Sequence, residues 1–208
     1  CAGNVFVNCN QGFFVLNSSD AQIYQNTLVN STANIKRTPR TEEGDHFGWH
    51  PATGPGVDER DGHVLVNNLL TGDEDFRRPL LLVQQTGDLC ERLDKPMINQ
   101  LNYNVYVRDT DKTSRPLIQW SPAKNVNCQL SFESPKNLNK QYPEFSAGSK
   151  YFANYDGPLF RSHRLGNYQL LQGFPGSKAA SELPVKIRKL LGYPKKGPRF
   201  VGAYPSCP

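Results

Sequence analysis

Apolar residues in this chain arrive in short runs broken by Asn, Gly, Ser or Asp, and several runs follow an asparagine. The pattern Asn-x-apolar returns four times, as Asn4-Val5-Phe6-Val7, Asn26-Thr27-Leu28-Val29, Asn68-Leu69-Leu70 and Asn104-Val105-Tyr106-Val107. The first two copies lie 22 residues apart, and Asn8 and Asn30 close each unit. The later intervals, 42 and 36 residues, correspond to one coil plus an insertion. Runs this short, without helical periodicity, predict strands. A unit of roughly 20–25 residues that repeats predicts a β-solenoid. Stacked coils place equivalent residues about 4.8 Å apart. An Asn at a corner tolerates a left-handed backbone, and its amide both donates and accepts. Asn4, Asn26, Asn68 and Asn104 are therefore expected to form a ladder at one corner.

Further strands are expected at 13–16 and 23–24, with a corner at 17–20, and at 63–70, 79–83, 116–120 and 168–171. Two segments, 31–62 and 86–100, interrupt the repeat. Residues 130–150 suggest loop and short helix. Residues 181–192 carry the marks of a helix: Ser181 as N-cap, Pro184 in the first turn, basic residues in the last and Gly192 as the stop. This helix is expected against the end of the stack. The reading is one all-β domain over 1–208, with regular coils at about 4–110 and irregular coils plus a C-terminal cap at 111–208.

Composition narrows the class. The chain has 208 residues, is 37% apolar with a mean hydropathy of -0.60, and contains no apolar run near the ~18 residues a membrane span needs. Eleven Phe and nine Tyr argue against disorder. The net charge of +5 mixes both signs along the chain, which gives no support for nucleic acid as a partner and is compatible with an anionic polysaccharide. Five cysteines without a CxxC pair disfavour zinc. Cys1 precedes the first ladder Asn by three residues, leaving no room for a cap. Further N-terminal coils, from a longer chain or a partner chain, are expected to complete the stack. A lipoprotein acylated at Cys1 is the alternative.

The Asn coils, the stretch Gly-Asp-His-Phe-Gly-Trp-His-Pro-Ala-Thr-Gly-Pro-Gly-Val-Asp-Glu-Arg-Asp-Gly-His-Val at 44–64, and the tail motifs Pro-Leu-Phe at 158–160 and Gly-Asn-Tyr-Gln-Leu at 166–170 resemble bacterial right-handed parallel β-helix repeat proteins of the pectate-lyase-like superfamily. The resemblance implies a right-handed parallel β-helix with long corner loops. It also implies secreted, periplasmic or cell-surface carbohydrate processing by a lyase or glycoside hydrolase, or non-catalytic carbohydrate binding on the same scaffold.

Candidate chemistry gathers in 31–62, which holds three of the four histidines if His63 is included. Uronate β-elimination needs a base and a cation that clamps the carboxylate. Lys36, Arg37, Arg40 and Arg60 are candidates for clamp or base, and His46 and His50 for base. Glycoside hydrolysis needs two carboxylates, and Glu42, Glu43, Asp45, Asp58, Glu59 and Asp61 are the candidates. Phe47 and Trp49 offer flat faces for sugar rings. The same acids can instead form a salt-bridged turn, the histidines can satisfy loop carbonyls, and Trp49 can plug the loop. No metal is required. Calcium is a weaker possibility, because no Asp-x-Asp-x-Asp-Gly spacing is present.

Overall fold

The computed structural model describes residues 1–41, 54–109, 115–195 and 199–205. The fold is all-β and dominated by parallel sheets. Sheet 1 contains β1 (Val5–Val7), β4 (Thr27–Val29), β7 (Leu69–Gly72), β10 (Val105–Arg108) and β13 (Lys150–Phe152), all parallel. Sheet 2 contains β2 (Gln11–Leu16), β5 (Thr32–Arg37), β8 (Leu81–Gln85) and β11 (Ile118–Trp120) in parallel, closed by antiparallel β12 (Leu130–Phe132). Sheet 3 contains β3 (Gln22–Tyr24), β6 (His63–Val66) and β9 (Ile98–Asn102). Through β11 the chain visits the sheets in strict rotation, adding one strand to each per circuit. The hairpin of β14 (Phe160–Ser162) and β15 (Asn167–Leu170) stands apart.

The alternation of side chains along each short strand builds the core. Register aligns Phe6, Leu28, Leu70, Tyr106 and Tyr151 into one inward column of sheet 1. They pack with Ile35, Val83, Leu65, Leu101 and Trp120 from the other two sheets. Helix α1 (Pro135–Gln141), N-capped by the Ser134 hydroxyl, presses Leu138 into the end of this core beside Trp120 and Phe145.

The asparagine ladder is present. Asn4 Nδ2 donates to Asn26 Oδ1 (3.0 Å), Asn26 Nδ2 to Asn68 Oδ1 (2.9 Å) and Asn68 Nδ2 to Asn104 Oδ1 (3.0 Å). The backbone N–H of each donating Asn joins the same oxygen, at 3.1, 3.0 and 3.0 Å. The ladder ends where Asn104 N–H donates to Ser149 Oγ (3.1 Å). Each bond is worth about 0.5–1.5 kcal/mol net, and leaving a partner bare in a buried column costs more.

The left-handed corner residue, however, is the one before each ladder Asn: Gly3, Gln25, Asn67 and Tyr103, with φ of 69°, 49°, 61° and 56°. The ladder Asn itself is recruited for its amide alone.

Three further expectations need correction. Residues 32–37 are strand β5, not loop, so the insertion starts after the strand. Helix α2 (Val185–Leu190) lies on the outer face of sheet 3, with Ile187 against Tyr24, Val64 and Val66; the end of the stack is covered by α1 instead. Ser181 caps no helix, since Pro184 is the N-cap of α2. Ser181 N–H donates to Asn67 Oδ1 (2.9 Å) and its carbonyl accepts from Asn67 Nδ2 (3.0 Å), which ties the tail to a corner. The tail also crosses sheet 1, where Ala203 N–H donates to Thr27 Oγ1 (2.9 Å). Gly202, at φ +80°, permits this approach: a Cβ there would lie 2.6 Å from Thr27 Oγ1.

A disulfide joins Cys90 to Cys128, while Cys1 and Cys9 are free thiols. Among the described residues no helix is long and apolar enough to cross a membrane. Strands β1, β2 and β3 are the outermost strands of their sheets.

Candidate functional site

The candidate site follows from how the tail covers sheet 1. Outward-facing Leu69, Val105 and Val107 are buried, and Phe152 half-buried, in a cluster with Leu159, Phe160, Leu170, Phe174 and Val201. The outward row of Val7, Val29 and Thr71 is left as the floor of a groove of about 630 Å³. Asn8, Asn30, Asp73 and Asp109 border this floor at the ends of the strands, and residues 157–164 with Tyr168 form the opposite wall.

The strand ends repeat the ladder's chemistry and then depart from it. Asn30 Nδ2 donates to Asn8 Oδ1 (3.2 Å), and on the other side to Asp73 Oδ2 (2.5 Å). Asp73 N–H returns a bond to Asn30 Oδ1 (3.0 Å). Asp73 Oδ1 accepts from the backbone N–H of Asp75 (3.1 Å) and Phe76 (3.0 Å). Asp109 has the opposite environment. Partial burial, and then the negative charges of Asp73 and Glu74, push its carboxyl above the usual aspartate range.

The turn carrying Asp73 is fixed from below. Arg108, buried at the end of β10, donates to the carbonyls of Phe76 and Arg78 (2.6 Å for the latter). Its guanidinium passes over Gly72, where a Cβ would approach Nη1 to 2.8 Å. Facing the two aspartates, the β14–β15 hairpin supplies Arg161, His163 and Arg164, and Tyr168 packs edge-on against Phe160 with centroids 5.3 Å apart. The arrangement places two carboxyl groups, Asp73 and Asp109, in one groove with two arginines, a histidine and an aromatic ring. That is a pattern suited to acid–base work on a polar chain.

The described residues among those expected from the sequence fall elsewhere. No described residue between 31 and 62 lines this groove. Arg37 is 2% exposed, donates to Gln85 Oε1 (2.7 Å from Nε) and to the Lys95 carbonyl (3.2 Å), and is pushed down by burial. Arg60 is buried and clamps its own loop by donating to the carbonyls of Pro55, Thr38 and Arg40 at 3.1, 2.7 and 2.8 Å. Asp58 pairs with Arg92, and Glu59 accepts from Gly56 N–H (3.2 Å). Lys36 is half-buried in β5, and the Arg40 side chain is exposed. Asp45, His46, Phe47, Trp49 and His50, together with Glu42 and Glu43, lie outside the described residues. His63 is buried in β6: its Nδ1 accepts from Ala21 N–H (3.2 Å), and burial lowers its pKa, keeping it neutral. Among the described residues no group of three His, Cys, Asp or Glu converges as a metal site.

Asp73, Asp109, Arg161, His163, Arg164 and Tyr168 were not singled out from the sequence. The position four after each ladder Asn reads Asn8, Asn30, Gly72 and Arg108, and the two aspartates stand one residue beyond it, so the repeat itself gave no signal for them. No protein-family model, no curated protein and no solved structure matches this chain.

Proposed function

We propose that the chain is a right-handed parallel β-helix protein that hydrolyses a polysaccharide outside the cytoplasm, as a secreted, periplasmic or cell-surface protein. In this reading the groove over Val7, Val29 and Thr71 holds the glycan. Asp109 delivers its proton to the glycosidic oxygen, the C–O bond breaks, and Asp73 takes a proton from the water that attacks the anomeric carbon. The hairpin cations suit a uronate-containing chain. The observation that carries the reading is the pair of aspartates bordering one groove with opposite environments. The rotation of the chain through three parallel sheets supports the β-helix assignment.

The experiment is reducing-end release from a panel of pectic, algal and neutral polysaccharides by wild type and Asp109→Asn. Turnover should fall about 10²-fold or more, the scale for losing a general acid. In the wild type kcat/KM should fall as pH rises through the elevated Asp109 pKa, because only the protonated form donates. Appearance of an unsaturated, ultraviolet-absorbing product instead would identify elimination and remove Asp109 from this role.

A second reading, non-catalytic glycan binding, is favoured by one observation. Both Asp73 oxygens are already engaged by the stack and its own turn. Wild type that binds a glycan from the panel without cleaving it would select that reading.

A further inference from the structure

The groove continues past the hairpin. A second, shallower depression of about 370 Å³ lies on the other side of the β14–β15 tip, lined by Leu165, Gly166, Asn167, Gln169, Tyr204 and Pro205, and it shares Tyr168 with the groove. Two of its large apolar side chains face solvent: Leu165 is 85% exposed and Tyr204 is 47% exposed. The chain spends apolar surface here on a tight turn, where Gly166 in the left-handed conformation at φ 73° closes the turn and leads directly into β15. The polar groups alongside are amides, with Asn167 Oδ1 accepting from Gln169 N–H (3.0 Å). None of the residues lining this depression carries a charged side chain, in contrast to the groove with Asp73, Asp109, Arg161, His163 and Arg164.

From this we infer a second subsite, which receives uncharged sugar units of the same glycan whose reactive part lies in the groove. Its chemistry is that of a pyranose: the apolar C–H faces of the ring lie on Tyr204 and Leu165, and the ring's hydroxyls meet the amides of Asn167 and Gln169. Tyr168, which lines both depressions, sets them side by side, within reach of one glycan chain. Its ring is braced by Phe160. The inference rests on the glycan reading of the groove and adds to it a composition: a chain, or a branch, with charged and neutral residues, of which the neutral ones reach beyond the hairpin tip.

The test is calorimetric titration of Asp109→Asn protein, which retains the site and turns substrate over about 10²-fold or more slowly, with oligogalacturonides and with xylo- and arabino-substituted pectic oligosaccharides of graded length. Tyr204→Ala and Leu165→Ser are made in that background. Both side chains are exposed, so neither change disturbs the core. Oligosaccharides long enough to pass the hairpin should bind each variant roughly five- to tenfold more weakly, the scale of one lost ring contact. The shortest ones that bind should be unaffected. Affinities that are unchanged at every length, or that fall equally at every length, overturn the subsite and leave the groove reading standing. If none of these oligosaccharides binds the parent protein, the groove reading falls and the subsite falls with it.

Discussion

The strands of sheet 1 are bounded at their two ends by similar side chains that do opposite things. At the start of the strands Asn4, Asn26, Asn68 and Asn104 form an unbroken column of amides, each donating to the next. At the finish Asn30 donates to Asn8 and to Asp73, but the register equivalents of these asparagines in the next two strands are Gly72 and Arg108, and Asp73 and Asp109 stand one residue beyond. A stack favours amides, because an amide has a donor for one neighbour and an acceptor for the other, whereas two carboxylates in succession have only acceptors and repel. The ladder end lies in the core at Asn26 and Asn68 and is fully paired through the column; the aspartate end borders open space, where the Asp109 carboxyl is pushed above its usual range. The proposed site lies at the strand end that departs from what the stack favours.

The largest effect expected from this contrast comes from carrying the acid into the wrong column. Asn68 is buried; its Nδ2 donates to Asn104 Oδ1 and to the carbonyls of Ile23 and Val66, and its Oδ1 accepts from Asn26. Asn68→Asp replaces three donated contacts with a carboxylate oxygen facing three oxygens. The loss should be about 3–5 kcal/mol of unfolding free energy at neutral pH, the range for an uncompensated buried charge. Part of it should return as the carboxyl protonates at low pH. Chemical denaturation at pH 7 and pH 4 measures both, and a loss under ~1 kcal/mol would mean that the ladder is ornamental.

Next in size is the effect on activity, and it should separate the two ends cleanly. Asp73→Asn, like Asp109→Asn, should reduce turnover on a responsive polysaccharide by about 10²-fold or more while the protein still melts cooperatively. Asn26→Ser, in the other column, should lower stability by about 1–2 kcal/mol and change kcat by less than a factor of about 3 once the protein is folded. Equal losses of activity at both ends would dissolve the distinction.

These residues also show what was legible in the sequence. The ladder was, because a period imposes itself: the same amide must recur wherever the same corner recurs, and Asn-Val, Asn-Thr, Asn-Leu and Asn-Val precede apolar positions in each copy. The left-handed corner was misplaced by one residue because Gly3, Gln25, Asn67 and Tyr103 share a conformation and no side-chain chemistry. Strand β5 was hidden by its polar letters. Asn34 and Lys36 lie on its outer side, while Arg37 is carried inside by Gln85 and a carbonyl. The groove could not be read at all from local pattern. Its floor comes from three circuits, and its wall comes from 157–168, brought back over sheet 1 by contacts such as Leu69 and Val105 with Leu170 and Val201. Density of ionisable residues directed attention to 31–62, but of those described there, Arg37, Arg60, Asp58 and Glu59 are occupied in holding backbone and neighbours.

The smallest predicted effect is the most direct reading of the strain that a carboxylate adds to the stack. The folded chain holds the Asp109 proton more tightly than the unfolded chain does, because burial and the charges of Asp73 and Glu74 disfavour ionisation. Between the unfolded value, about 3.9, and the raised folded value, the native state binds more protons than the unfolded state, so stability falls as pH rises through that window. Asp109→Asn removes the titration. The variant should therefore match wild type below about pH 3.9 and melt at a slightly higher temperature at pH 7. In an Asp73→Asn background the gap should narrow, since one of the two repelling charges is gone. Thermal melts of the four proteins across pH 3–8 give the comparison, and it requires no substrate. A variant that melts below wild type at pH 7 would show that the Asp109 carboxylate makes a stabilising contact in the native protein. The departure from amide to acid would then need no functional explanation.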